Sequence, residues 1–147
     1  MTVTEAPTTT SVAPDFVTEV VPEITEAPLA LSIAEVAERT GVTAHTLRYY
    51  ERIGLVSVPR DEVGRRVYTA DEIGRVLFIT RLRQTAMPIR EIQAYFRLVA
   101  EGPETEPQRL ALLERHRADV QARMRELESA LQAIEYKIAV YGGSCAP

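Results

Sequence analysis

Residues 43–56 read Thr43-Ala44-His45-Thr46-Leu47-Arg48-Tyr49-Tyr50-Glu51-Arg52-Ile53-Gly54-Leu55-Val56. Thr43 suits a helix N-cap, because its hydroxyl can accept a backbone N–H that the first turn leaves unpaired, and Gly54 supplies the stop. Between them, Leu47 and Ile53 are apolar anchors, while His45, Thr46, Arg48, Tyr49 and Tyr50 offer donors and flat rings over a small surface. Such a face suits a DNA major groove, where donors meet phosphates and base edges. Upstream, Ser32 and Glu35 have capping-box spacing and Leu31 can staple onto Val36, so a first helix runs to about Arg39 before Thr40-Gly41 breaks it. Val42 and Leu47 make the corresponding staple for the second helix, about Ala44 to Arg52. Two short helices joined through a Gly-containing turn form a helix-turn-helix, a topology that many all-α proteins also contain.

Working outward, Ser57 to Tyr68 holds two short β-prone stretches around Asp61-Glu62-Val63-Gly64, with Arg60, Arg65, Arg66 and Tyr68 on or beside the turn. This reads as a basic wing. The competing reading is a surface hairpin whose arginines pair with Asp61 and Glu62. Thr69 and Glu72 repeat the capping-box spacing and open a third helix through Ile73, Val76, Leu77 and Leu82 to about Thr85. Pro88 suits the first turn of a fourth helix, Ile89 to Ala100, stopped by Gly102-Pro103. Residues 29–101 are therefore expected to form a winged helix-turn-helix domain.

A last helix is expected from Pro107 to the Gly142-Gly143 stop, with a dimerisation segment at 107–141 and a short tail at 142–147. Placing Leu110, Arg117, Met124, Leu131 and Ile138 at heptad position a puts Leu113, Val120, Leu127, Ile134 and Tyr141 at d, so nine of ten seam positions are apolar. Such a stripe predicts a coiled coil, and a second copy is the natural partner. The helix folding back on its own domain is the alternative. His116, Arg123 and Lys137 at g face glutamates at e, a pattern that suits a parallel pair.

Residues 1–28 contain four prolines, many threonines, five acidic residues and no Lys or Arg, which predicts a disordered acidic leader. The chain's net charge of −4 is thereby local: the remainder carries 17 basic against 16 acidic residues. Sixteen of the basic residues are Arg, whose planar fork suits phosphate and base edges, though Arg preference also follows genome composition. No apolar run or N-terminal pattern suggests a membrane span or signal peptide, so a cytoplasmic protein is expected. The single cysteine, Cys145, fits a reducing compartment.

Thr46 to Val56, followed by Pro59-Arg60, Gly64-Arg65-Arg66-Val67-Tyr68 and Met87-Pro88-Ile89-Arg90-Glu91-Ile92, resembles the mercuric-resistance-regulator (MerR) family of bacterial transcription factors. The likeness extends from Leu31 through the long helix. It implies a mainly α fold: a winged helix-turn-helix domain followed by a long dimerisation helix in an antiparallel coiled coil. The antiparallel pairing overrides the parallel pattern of the weak e and g charges. The likeness further implies a homodimer on double-stranded promoter DNA with a long spacer, which it bends and untwists so that RNA polymerase engages both promoter elements. Carried over by position, Thr43, His45, Arg48 and Tyr49 face DNA with Tyr50 beside them, and Arg66 and Tyr68 match the wing's Arg and Tyr. Arg65 stands where an aromatic is frequent. Packing under the helix is the alternative for Tyr50, and a local pairing with Arg is expected of Glu51.

Metal sensing in that family uses several thiolates, so one cysteine argues for a non-metal effector or stress signal and no cofactor. A small-molecule effector would have to draw on Met87, Tyr95, Phe96 and Leu98, which read first as core. There is no Ser/His/Asp set, paired-carboxylate motif or phosphate loop, so no enzyme is expected. An effector-independent repressor, an architectural DNA-binding protein or a coiled-coil interaction module are the other readings.

Overall fold

The computed structural model describes residues 30–143, so the leader, Cys145 and most of the tail lie outside the described residues. The chain divides into two compact units at Glu106–Pro107. In chain order the helices are α1 (Ile33–Thr40), α2 (Ala44–Arg52), α3 (Ala70–Gln84), α4 (Ile89–Glu101) and α5 (Glu106–Tyr141), with a 3-10 turn at Pro103–Thr105.

In the first unit the caps set the helix starts. The Ser32 hydroxyl accepts the Glu35 N–H at 3.3 Å and the Glu35 carboxylate accepts the Ser32 N–H at 2.7 Å, closing the expected capping box of α1. Gly41 ends α1 at φ 72°, a left-handed conformation that costs other residues, and its N–H donates to the Ala37 carbonyl. Two residues later Thr43 caps α2. The Glu72 carboxylate accepts the Thr69 N–H at 2.7 Å at the start of α3. Pro88 is the N-cap of α4, one position before the first turn where its spacing had placed it.

α3 is the central helix of this unit. It buries Ile73, Gly74, Val76, Leu77, Ile79 and Leu82, more than one stripe, as a helix enclosed by neighbours must. Val36, Leu47, Tyr50, Leu55, Val56, Met87, Ile92 and Phe96 are buried as well. Phe78, Tyr95 and Phe96 meet edge to face with centroids 5.2–6.5 Å apart, and the Arg75 guanidinium lies 4.7 Å from the Phe96 ring centre. Met87 and Phe96 are therefore core residues, and the aromatic cluster accounts for Tyr95.

The wing is slighter than a two-strand hairpin. Among the described residues there are isolated antiparallel bridges, Arg60 with Arg66 and Leu31 with Tyr68, and no strand. Pro59 has no N–H to give the ladder, so Val67 donates to its carbonyl at 2.9 Å without a return bond from that residue. Asp61 closes the tip instead: its carboxylate accepts the N–H groups of Val63 at 3.0 Å and Arg65 at 2.9 Å. Those bonds, the Arg65 N–H foremost, hold the Asp61 carboxyl below its usual range.

The second unit is α5, 36 residues and about 54 Å at ~1.5 Å per residue. None of its residues is buried. Leu110, Met124, Leu127, Leu131, Ile134, Ile138 and Tyr141 are all more than half exposed, and Leu113 and Val120 are partly so. Arg117, the charged residue on the seam, lies 3.6 Å from Glu114 along the same helix. Among the described residues no helix is long and apolar enough to cross a membrane.

Candidate nucleic-acid interface

α2 turns Leu47 and Tyr50 inward, three residues apart on one face. The opposite face carries His45, Arg48 and Arg52, all exposed and spaced three and seven apart, with half-buried Tyr49 at its border. The Arg52 guanidinium lies 5.5 Å from the centre of the Tyr49 ring, which stiffens that edge. Arg52 belongs with the sequence-derived candidates. Its i+4 spacing from Arg48 was the available sign.

Thr43 and Thr46 shape the helix start. The Thr43 hydroxyl accepts the Thr46 N–H at 3.1 Å and donates to the Thr46 hydroxyl at 3.0 Å, so both polar tips are engaged where the helix would enter a groove. The far end is tied down too. Gln93 of α4 donates its side-chain amide to the Ile53 carbonyl at 3.2 Å, anchoring the C-terminal end of α2 from a position 40 residues away.

Two expected contacts change place. Tyr50 is 5% exposed and Tyr68 is 0% exposed, so both pack in the core instead of standing on the presented surface. For Tyr50 the cause is its spacing from Leu47. For Tyr68 it is the backbone exchange with Leu31, N–H to carbonyl at 2.8 and 3.0 Å, which fixes the face of the segment that turns inward. The Tyr68 hydroxyl is buried without a hydrogen-bond partner among the described residues. That burial, with the Glu51 charge second, raises its pKa above the usual 10.0.

The wing arginines are partly spoken for. Arg65 reaches the Asp61 carboxylate at 3.1 Å, as the surface-hairpin reading expected, yet its side chain is 78% exposed. Arg66 Nε donates to Glu51 Oε2 at 2.5 Å, and Arg60 Nη2 lies 3.5 Å from Glu51 Oε1. Glu51 thus pairs with arginines, as anticipated, but across the fold. Arg48 and Arg52 on α2 and Arg60 and Arg65 on the wing keep exposed guanidiniums, the last two while paired with Glu51 and Asp61.

Residues 31–98 match the family described as MerR HTH family regulatory protein, and residues 73–136 that described as MerR, DNA binding. The chain belongs to the MerR family. An uncharacterized HTH-type transcriptional regulator of Haemophilus influenzae is 32% identical over 114 residues, 77% of this chain and 84% of that protein. HiNmlR, a MerR family regulator lacking the sensor domain and solved bound to promoter DNA, is 32% identical with a TM-score of 0.74, covering 78% of this chain and 87% of that one. A putative MerR family regulator from Listeria monocytogenes is 35% identical with a TM-score of 0.72, over 76% of this chain and 86% of that one. The chain is accordingly a MerR-family DNA-binding transcriptional regulator and not an enzyme.

Proposed function

We propose that the protein is a cytoplasmic homodimer that bends and untwists a promoter with a long spacer so that RNA polymerase engages it. A winged helix-turn-helix domain over residues 29–101 reads DNA, residues 107–141 dimerise as an antiparallel coiled coil, and the 1–28 leader and 142–147 tail are appendages. The observation that carries this is the combination of an arginine-bearing α2 face with a 36-residue helix whose apolar seam is uncovered in one chain. An exposed stripe of that size needs a partner, and the same seam on a second copy is self-complementary. The solved relative on promoter DNA supports the choice of ligand.

In this reading Arg48 and Arg52 meet phosphates or base edges, His45 and Tyr49 flank them, Arg65 meets phosphate from the wing, and Thr43 and Thr46 hold the helix start in register. Bending adds readout of DNA stiffness to these contacts. The single cysteine speaks against a metal site built from several thiolates, so in this reading control falls to a non-metal effector or stress signal. A second reading, operator occupation without an effector, is favoured by the relative described as lacking the sensor domain.

Mobility shift on the protein's own upstream DNA tests the proposal. Wild-type protein is expected to give a dimer-sized complex, and Arg48→Ala to weaken it at unchanged oligomeric state. Equal binding by Arg48→Ala would sink the assignment of the α2 face.

A further inference from the structure

The wing contains an electrostatic problem that a residue outside it solves. Its antiparallel bridge pairs Arg60 with Arg66, two cations directly opposite each other, an arrangement that repels. Glu51, in the last turn of α2, reaches both: Arg66 at 2.5 Å through one oxygen and Arg60 at 3.5 Å through the other. The Glu51 and Arg66 side chains are 21% and 27% exposed, so this pair is screened less than one in open water, whereas Arg60 at 47% is the looser partner. Arg60 also donates to the Gly64 carbonyl at 3.2 Å across the wing turn. Within this cluster one carboxylate faces two guanidiniums, with the Tyr68 hydroxyl buried close by.

We infer that Glu51 is a positioning and specificity-determining residue, which pins the wing to the recognition helix and withholds Arg60 and Arg66 from indiscriminate phosphate contact. Phosphate contacts position a protein on DNA but carry no sequence information, and each one adds to binding on any duplex. A wing whose bridge arginines were loose would grip DNA wherever it landed. With Glu51 in place the two cations are held at fixed distances from the α2 backbone, so they reach phosphates together only when α2 sits in its proper register. The inference rests on the DNA-binding reading above and concerns selectivity within it.

The test is Glu51→Gln in the full chain, titrated by fluorescence anisotropy on the protein's own upstream DNA and on a scrambled duplex across a range of salt. The ratio of specific to non-specific affinity is expected to fall about tenfold, comparable to the penalty of one mismatched base pair. On the scrambled duplex the slope of log affinity against log salt should steepen by about 0.9 for each arginine freed to a phosphate. In an Arg66→Gln background, Glu51→Gln should change the ratio far less, because the principal partner is already gone. A ratio that is unchanged, whether both affinities hold or both drop together as a folding defect would make them, overturns the inference. An equal effect in both backgrounds overturns it also. Failure of the wild-type protein to prefer its upstream DNA would instead defeat the function proposed above, before any variant is compared.

Discussion

Tyr68→Phe separates packing from DNA contact at the residue where they conflict. The ring is fully buried and its hydroxyl has no hydrogen-bond partner among the described residues, so the folded state carries a desolvation cost of about 1–3 kcal/mol that phenylalanine would not. The backbone exchange with Leu31 is untouched by the substitution. Tyr68→Phe is therefore expected to stabilise the first unit by about 1–2 kcal/mol, raising its melting temperature by roughly 4–15 °C for a domain of this size. A second signature comes from titration. Because the folded pKa lies above 10.0, Tyr68 contributes stability that is complete below the unfolded value and is lost as pH rises through the folded one. Wild-type protein should thus lose stability above about pH 10 more steeply than the variant, whose difference from wild type widens there. Urea denaturation at pH 7 and pH 10.5, at one protomer concentration, reads both effects. Operator affinity should be unchanged. A destabilised variant, or one with intact stability and weakened operator binding, would show that the hydroxyl makes a contact, and would restore Tyr68 to the DNA-binding surface.

Ala86 sits at φ 64° in the turn between α3 and α4, where a Cβ is strained, so Ala86→Gly is expected to stabilise by about 1 kcal/mol in denaturant melts. Thr105 is buried, and its hydroxyl lies 2.6 Å from the Leu98 carbonyl and 2.7 Å from the Gly102 carbonyl, with one proton to share between them. Thr105→Val removes that donor at nearly constant shape and should cost about 1–3 kcal/mol by the same assay. On α5, Leu127 is 64% exposed at the centre of the apolar seam. Leu127→Glu should leave helicity by circular dichroism near wild type while shifting sedimentation from dimer to monomer; a monomeric wild type would remove the basis for that expectation.

What the sequence made legible was local. Ser32 with Glu35 and Thr69 with Glu72 announce helix starts because both partners of the bond lie three residues apart, and the heptad stripe of α5 needs no knowledge of what covers it. That His45, Arg48 and Tyr49 share a face came from the likeness to the MerR family, and α2 presents the first two outward with Tyr49 at the border. The contacts that assemble the site bridge long separations. Glu51 meets Arg66 across 15 residues and Gln93 meets Ile53 across 40, and no spacing rule singles out one arginine or one glutamine among many. Tyr68 misled for a related reason: an alternating wing segment has two faces, and the Leu31 exchange decides which one is buried. Ala86 carries no compositional mark either, since the left-handed turn it occupies is usually signalled by glycine or asparagine.

Hydroxyl-radical footprinting on the protein's own upstream DNA tests the central claim most directly. A homodimer that deforms its promoter should protect two inversely related half-sites on one face of the duplex, with altered cleavage between them where the groove width changes. Protection of a single half-site, or of two with unperturbed cleavage between them, would contradict the dimeric untwisting mechanism.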